Sequence, residues 1–133
     1  MHDVTAAQSI AHAVLEAARG RSVTRVEQIR LTLGAMTMLD AEQLEFWLQQ
    51  MLRGTIADGA RIDIQQLPLT VRCPACGFEG ELPVPDDPIY HLMPYVPACP
   101  RCDAEELEVV GGGECVVESI RVQTAEGDSG HDG

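Results

Sequence analysis

The chain is poor in aromatic residues and in basic ones. Phe, Trp and Tyr make up 4% of its 133 residues, so Leu, Ile, Val and Ala must supply most of any core. Lys and Arg total 9 against 21 Asp and Glu, for a formal net charge of −12. A surface this acidic repels phosphate backbones and anionic headgroups, which argues against general nucleic-acid binding and favours basic partners or cations. No apolar run is long enough to cross a bilayer, and the opening MHDVTAAQSI lacks the basic region and apolar stretch of a secretory signal. These features predict a cytoplasmic protein without membrane contact. A phosphate-cradling Gly-Lys-Ser/Thr loop is missing too, and Ser9, Ser22 and Ser119 sit in no nucleophile motif. The chain reads as a non-enzyme.

Hydrophobic residues nevertheless reach 45%, enough for a core. Val4, Ala7, Ile10, Ala11, Val14, Leu15 and Ala18 recur at helical spacing over residues 4–19, with Gly20 as a stop and Asp3 or Thr5 as a cap. Ile29, Leu31 and Leu33 alternate with polar residues in a strand over 23–33. Asp40 opens a second helix with Gln43 in the capping-box position; Leu44, Trp47, Leu48 and Met51 form its apolar stripe, widened by Phe46 and Leu52. A second strand runs to about Leu67 through Ala60, Ile62 and Ile64. Residues 107–110 and 115–122 around Gly111-Gly112-Gly113 read as a hairpin. In its last strand Val117 and Ile120 fall on opposite parities, which calls for a bulge or for burial of both faces. Small polar residues from 124 to 133 predict a disordered tail.

The fold class is therefore α+β: two helices on a small, roughly three-stranded sheet, with an inserted zinc-ribbon-like module of two C-x-x-C knuckles. Residues 1–70, completed by a returning strand over 107–123, form the body. Residues 71–106 form the module, holding four cysteines and most of the prolines.

Cys73-Pro-Ala-Cys76 and Cys99-Pro-Arg-Cys102 supply four soft thiolates, the ligand set of a closed tetrahedral Zn(II) site. Gly77 suits the backbone angle such a knuckle needs. Disulfides are rare in a reducing compartment. A rubredoxin-like iron site is the rival reading and would be coloured. Cys115, among valines, reads as a small core residue. His91 reads as a loop residue, because four cysteines already fill the shell, and His12 reads as a surface residue. At the other end, the Met1 amine, the His2 backbone nitrogen and imidazole, and the Asp3 backbone nitrogen could form the square plane that suits Ni(II) or Cu(II). A solvated His2 is the plainer alternative.

The order of Met1-His2, Ala7-Gln8-Ser9-Ile10, Leu33-Gly34, Leu44-Glu45-Phe46, the stretch from Thr55 to Ile64, both knuckles, Gly113-Glu114 and Ser119-Ile120 resembles the HypA/HybF family of hydrogenase nickel-incorporation proteins. The resemblance implies a nickel metallochaperone. Ni(II) would be carried at His2 with the backbone of Met1 and Asp3, and structural Zn(II) at Cys73, Cys76, Cys99 and Cys102. The implied partners are a HypB-type GTPase, the large subunit of [NiFe]-hydrogenase and, in some members, urease maturation proteins, with the chain a monomer or homodimer. Asp3 stands where the family usually has Glu, the loop from Gly77 to Ala98 is long, and Cys115 replaces a more usual aliphatic residue. The alternative function is a zinc-ribbon protein-interaction adaptor without a nickel role.

Overall fold

The computed structural model describes residues 3–19, 22–85, 88–93, 95–125 and 129–132. Its first element is helix α1 (Asp3–Ala17), which buries Ala6, Ala7, Ile10, Ala11 and Val14 and leaves His12 exposed. Strand β1 (Val23–Gly34), helix α2 (Ala41–Met51) and strand β2 (Arg61–Leu67) follow. Because α2 crosses between them, β2 lies parallel to β1, with Ile29 beside Ile62 and Leu31 beside Ile64. Leu44, Leu48 and Leu52 are buried. Phe46 is not part of the apolar stripe: it is 50% exposed and meets Trp47 edge-on, ring centroids 5.2 Å apart.

Asp40 caps α2 by accepting from the Glu42 N–H at 2.8 Å and the Gln43 N–H at 3.3 Å. Replacing Asp40 with Ala removes that acceptor and should cost about 1 kcal/mol in a urea melt, with Asp40→Asn retaining most of it.

The chain next leaves the body. Strands β3 (Leu69–Arg72), β4 (Glu79–Leu82) and β5 (Glu108–Gly111) make a second sheet in the order β4-β3-β5. It carries its own small core: Leu69, Val71 and Leu82, with Phe78, Val84, Tyr95 and Leu107 packed on. Met36, from the 3₁₀ turn that follows β1, also packs into this core and so ties the module to the body. Strand β6 (Cys115–Thr124) returns to pair antiparallel with β1, and β7 (Ser129–Asp132) pairs with β6. The first sheet thus runs β2-β1-β6-β7.

Two expectations need correction. Residues 107–122 do not form a hairpin, because β5 pairs with β3 of the module while β6 pairs with β1 of the body. The glycine run between them is a crossing point and not a tight turn. Nor is the tail disordered throughout, since residues 129–132 add a fourth strand.

The parity problem in β6 resolves as a bulge. Arg30 lies opposite Ser119 but Leu31 lies opposite Val117, so Glu118 is the extra residue. A second shift leaves Glu27 extra on β1, between the Val26–Val122 and Gln28–Arg121 pairs. Together they let Val26, Ile29, Leu31, Leu33, Ile120 and Val122 all reach the core beneath the helices.

Candidate metal centre

The two knuckles fold alike. In the first, the Cys73 N–H donates to the Phe78 carbonyl at 2.7 Å and the Gly77 N–H to the Cys73 carbonyl at 2.8 Å. In the second, the Cys99 N–H donates to the Ala104 carbonyl at 2.8 Å and the Asp103 N–H to the Cys99 carbonyl at 2.9 Å. Each loop turns through a left-handed residue just after its second cysteine, Gly77 at φ +82° and Asp103 at φ +66°. Sequence reasoning found Gly77 and missed Asp103. The signal was its matching place after Cys-Pro-x-Cys, together with the tolerance of Asp for this region.

This folding brings the four Sγ atoms within 4.8 Å of one another. Cys73 and Cys102 stand 3.6 Å apart, as do Cys76 and Cys99. A tetrahedron with metal–sulfur bonds of about 2.3 Å has edges of about 3.8 Å, whereas a disulfide needs about 2.05 Å. The spacing fits ligands around one ion and does not fit two bridges. Cys73 and Cys99 are buried, and Cys102 is exposed, so the site sits at the surface of the module with two thiols anchored beneath it.

The electrostatics are divided among the thiols. Burial opposes ionisation of Cys99, but the backbone N–H groups of Cys102 and Arg101, with help from the neighbouring thiols of Cys76 and Cys102, bring it down to about 7. The Arg101 N–H lies 3.4 Å from the Cys99 sulfur. At Cys102 a backbone hydrogen bond from Ala104 favours the thiolate, yet the adjacent Cys73 thiol, burial and the other two thiols push it up to about 12. Thiolates this close repel one another, and a bound cation is what would let all of them ionise.

Among the described residues these cysteines are the one group of three or more His, Cys, Asp or Glu placed to share an ion. Cys115 is half-buried against the body core, opposite Leu33, and burial alone raises its thiol pKa. His91 closes a short 3₁₀ turn between the knuckles.

Of the predicted N-terminal set, Met1 and His2 lie outside the described residues. Asp3 begins α1, and its Oδ1 accepts from the Asp40 N–H at 3.3 Å, which places the start of one helix against the cap of the other. An open cleft of about 690 Å³ lies there, lined by Asp3, Asp40, Glu42 and Gln66 of the body side and by Val84 and Pro85 of the module. Sequence reasoning did not anticipate this junction, because Asp40 reads only as a helix cap.

Comparison with known proteins bears on what this architecture serves. Residues 1–122 match the family model described as hydrogenase/urease nickel incorporation, metallochaperone, HypA. Hydrogenase maturation factor HypA of Methanothermobacter thermautotrophicus is 34% identical over 123 residues, covering 92% of this chain and 98% of that protein. The protein of the same name from Methanobrevibacter smithii is 33% identical over 128 residues, covering 96% and 100%. The solution structure of the Ni metallochaperone HypA from Helicobacter pylori superposes with a TM-score of 0.65 at 16% identity, covering 93% of this chain and 99% of that one. At that identity the likeness concerns the fold. The match to the family model and the two sequence relatives place this chain in the HypA family of nickel metallochaperones for hydrogenase maturation.

Proposed function

We propose that this chain carries Ni(II) at its N-terminus, through His2 with the backbone nitrogens of Met1 and Asp3, and delivers it to the large subunit of [NiFe]-hydrogenase. Zn(II) at Cys73, Cys76, Cys99 and Cys102 would hold the module in shape. The observation that carries the reading is the position of Asp3, the third residue of the proposed nickel set, on the rim of a carboxylate-lined cleft where body and module meet. Square-planar nitrogen ligation selects Ni(II) over Zn(II), and thiolates select Zn(II), so the two metals would sort themselves by ligand chemistry.

The carboxylates of Asp3, Asp40 and Glu42 draw a cation toward this junction, and opposite charges keep it there. Ligands at a chain end can detach one at a time, which lets a receiving site compete for open positions. Four thiols ordered by paired knuckles hold a closed shell, with no position left for a substrate. The chain itself acts by binding and transfer, and GTP hydrolysis falls to a HypB-type partner. A site built of four thiolates requires a reducing setting, and the cytoplasm is where the chain would work. Urease maturation proteins are a second set of recipients.

Calorimetry with a native, untagged N-terminus and the thiol site loaded should show about one nickel per chain, lost in His2→Ala. Weak binding that ignores His2 would instead favour a zinc-stapled interaction adaptor.

A further inference from the structure

The helices cover one side of the first sheet; the other side is open. Its strand positions collect Arg25 and Arg30 on β1, Arg61 on β2 and Arg121 on β6, all exposed. That is four of the nine basic residues of a chain whose net charge is −12. The carboxylates interleaved with them are Asp63, which pairs with Arg61 and accepts from Gln28, and Glu118, which accepts from Thr32 at 3.0 Å. Among the described residues Arg25, Arg30 and Arg121 have no ion-pair partner. Of the described basic residues elsewhere, Arg19 pairs with Glu16, Arg72 with Glu108 and Arg53 donates to Gln50, and Arg101 stands alone in the second knuckle.

Two clefts of about 450 Å³ each cross this face and share Thr32, Leu67 and Glu118. One runs past Arg30 and Asp63. The other is lined by Val109, Val110 and Val116, which are 43%, 50% and 38% exposed, and also by Glu114. Arg30 lines the cleft that adjoins the valines, and Arg25 and Arg121 stand on the same sheet face outside both clefts, so an apolar anchor site has a charged margin.

We infer that the open sheet face docks an acidic segment of a partner protein, with an aliphatic side chain seated among Val109, Val110 and Val116 and carboxylates meeting Arg30 and Arg121. Charge selects the occupant. A nucleic acid would meet four arginines on an otherwise repelling molecule. A second copy could offer its acidic helix side to this face, but such a head-to-tail contact builds rings or chains of molecules instead of a two-fold dimer. A different protein with an acidic segment satisfies both limits. The inference goes beyond the nickel reading and does not depend on it.

The test uses the full-length, metal-loaded chain and a short fluorescein-labelled peptide of glutamates around a central leucine pair, read by fluorescence anisotropy. Arg30→Glu with Arg121→Glu should weaken binding roughly tenfold, since two attractions become repulsions. Arg19→Glu with Arg53→Glu makes the same change in net charge away from the face and should leave affinity within about twofold. Amide shifts on adding peptide should concentrate on residues 25–32 and 109–121. Equal losses in the two double variants would reduce the effect to net charge and overturn the proposal. So would failure of the peptide to bind the unaltered chain, or shifts that map to the helices. Nickel binding measured on the same variants keeps this outcome separate from that of the proposed function.

Discussion

Gly112→Ala should be among the most damaging single changes in this protein, on the order of 3 kcal/mol or more of lost stability. Gly112 has φ +76°, and a Cβ there would stand 2.1 Å from the Pro68 carbonyl oxygen and 2.9 Å from the Leu69 Cα. Those are backbone atoms of the segment that leads into the module, so they cannot swing aside as a side chain would. Gly34 is in the same knot: its own Cβ would meet the Gly112 carbonyl oxygen at 2.3 Å, while its N–H donates to the Glu114 carbonyl at 2.9 Å. The end of β1, the exit toward the module and the return from it therefore pass in backbone contact. Gly54→Ala provides the comparison. It shares a left-handed φ of +79° but has nothing within 4 Å, so it should lose only the conformational cost of about 1–2 kcal/mol. Urea melts of the two variants separate crowding from backbone angle. Equal midpoints would mean that the crossing relaxes freely and that close packing is not what requires Gly112.

The second large effect is loss of metal from the thiol site. Cys73→Ala, or chelation of the native protein, should unfold the module and leave the body intact. Among the described residues the body buries eighteen apolar residues in one cluster, and the module's own cluster holds three. A core of three cannot offset the entropy of ordering residues 69–111, so small modules of this kind rely on an ion. Binding of a structural ion by such sites supplies roughly 10–16 kcal/mol, most of it spent on folding. Hydrogen exchange checks this directly. Amides of β3, β4 and β5 should lose protection on chelation, while those of β1 and β6 keep theirs. Protection of β3 that survives metal removal would mean that Leu69, Val71 and Met36 hold the module without help.

Much of this organisation was legible from residue patterns alone. Helical spacing placed α1 and α2, alternation placed β1 and β2, and Asp40 read correctly as a cap because capping depends on local chemistry. The gathering of the four cysteines was legible for the same reason: a knuckle is a short-range structure, and its repeat signals a shared ion. What was lost depends on distant partners. Glu108–Gly111 and Cys115–Thr124 look like one hairpin, because a glycine run between two apolar stretches is locally identical to a turn. Only the pairing of Val71 with Val109 and of Leu31 with Val117 shows that they belong to different sheets. Phe46 was misread because helical spacing marks a face without saying how wide the covering surface is. The Asp3–Asp40 contact, and the cleft beside it, join residues with no shared motif.

The crossing at Gly34, Pro68 and Gly112 also bears on the order of folding. The pairing of β1 with β6 joins residues 23–33 to residues 115–124, with the whole module between. Closing so long a loop carries an entropic penalty that grows with its length. Pairing of β3 with β5 sets Thr70 beside Gly111, so a module already closed by its ion presents the returning chain next to the point where it left. Only the residues from Gly112 to Glu114 then separate that point from β6. Metal capture at the cysteines would thereby shorten the search for the central strand pair of a domain that holds none of those ligands itself.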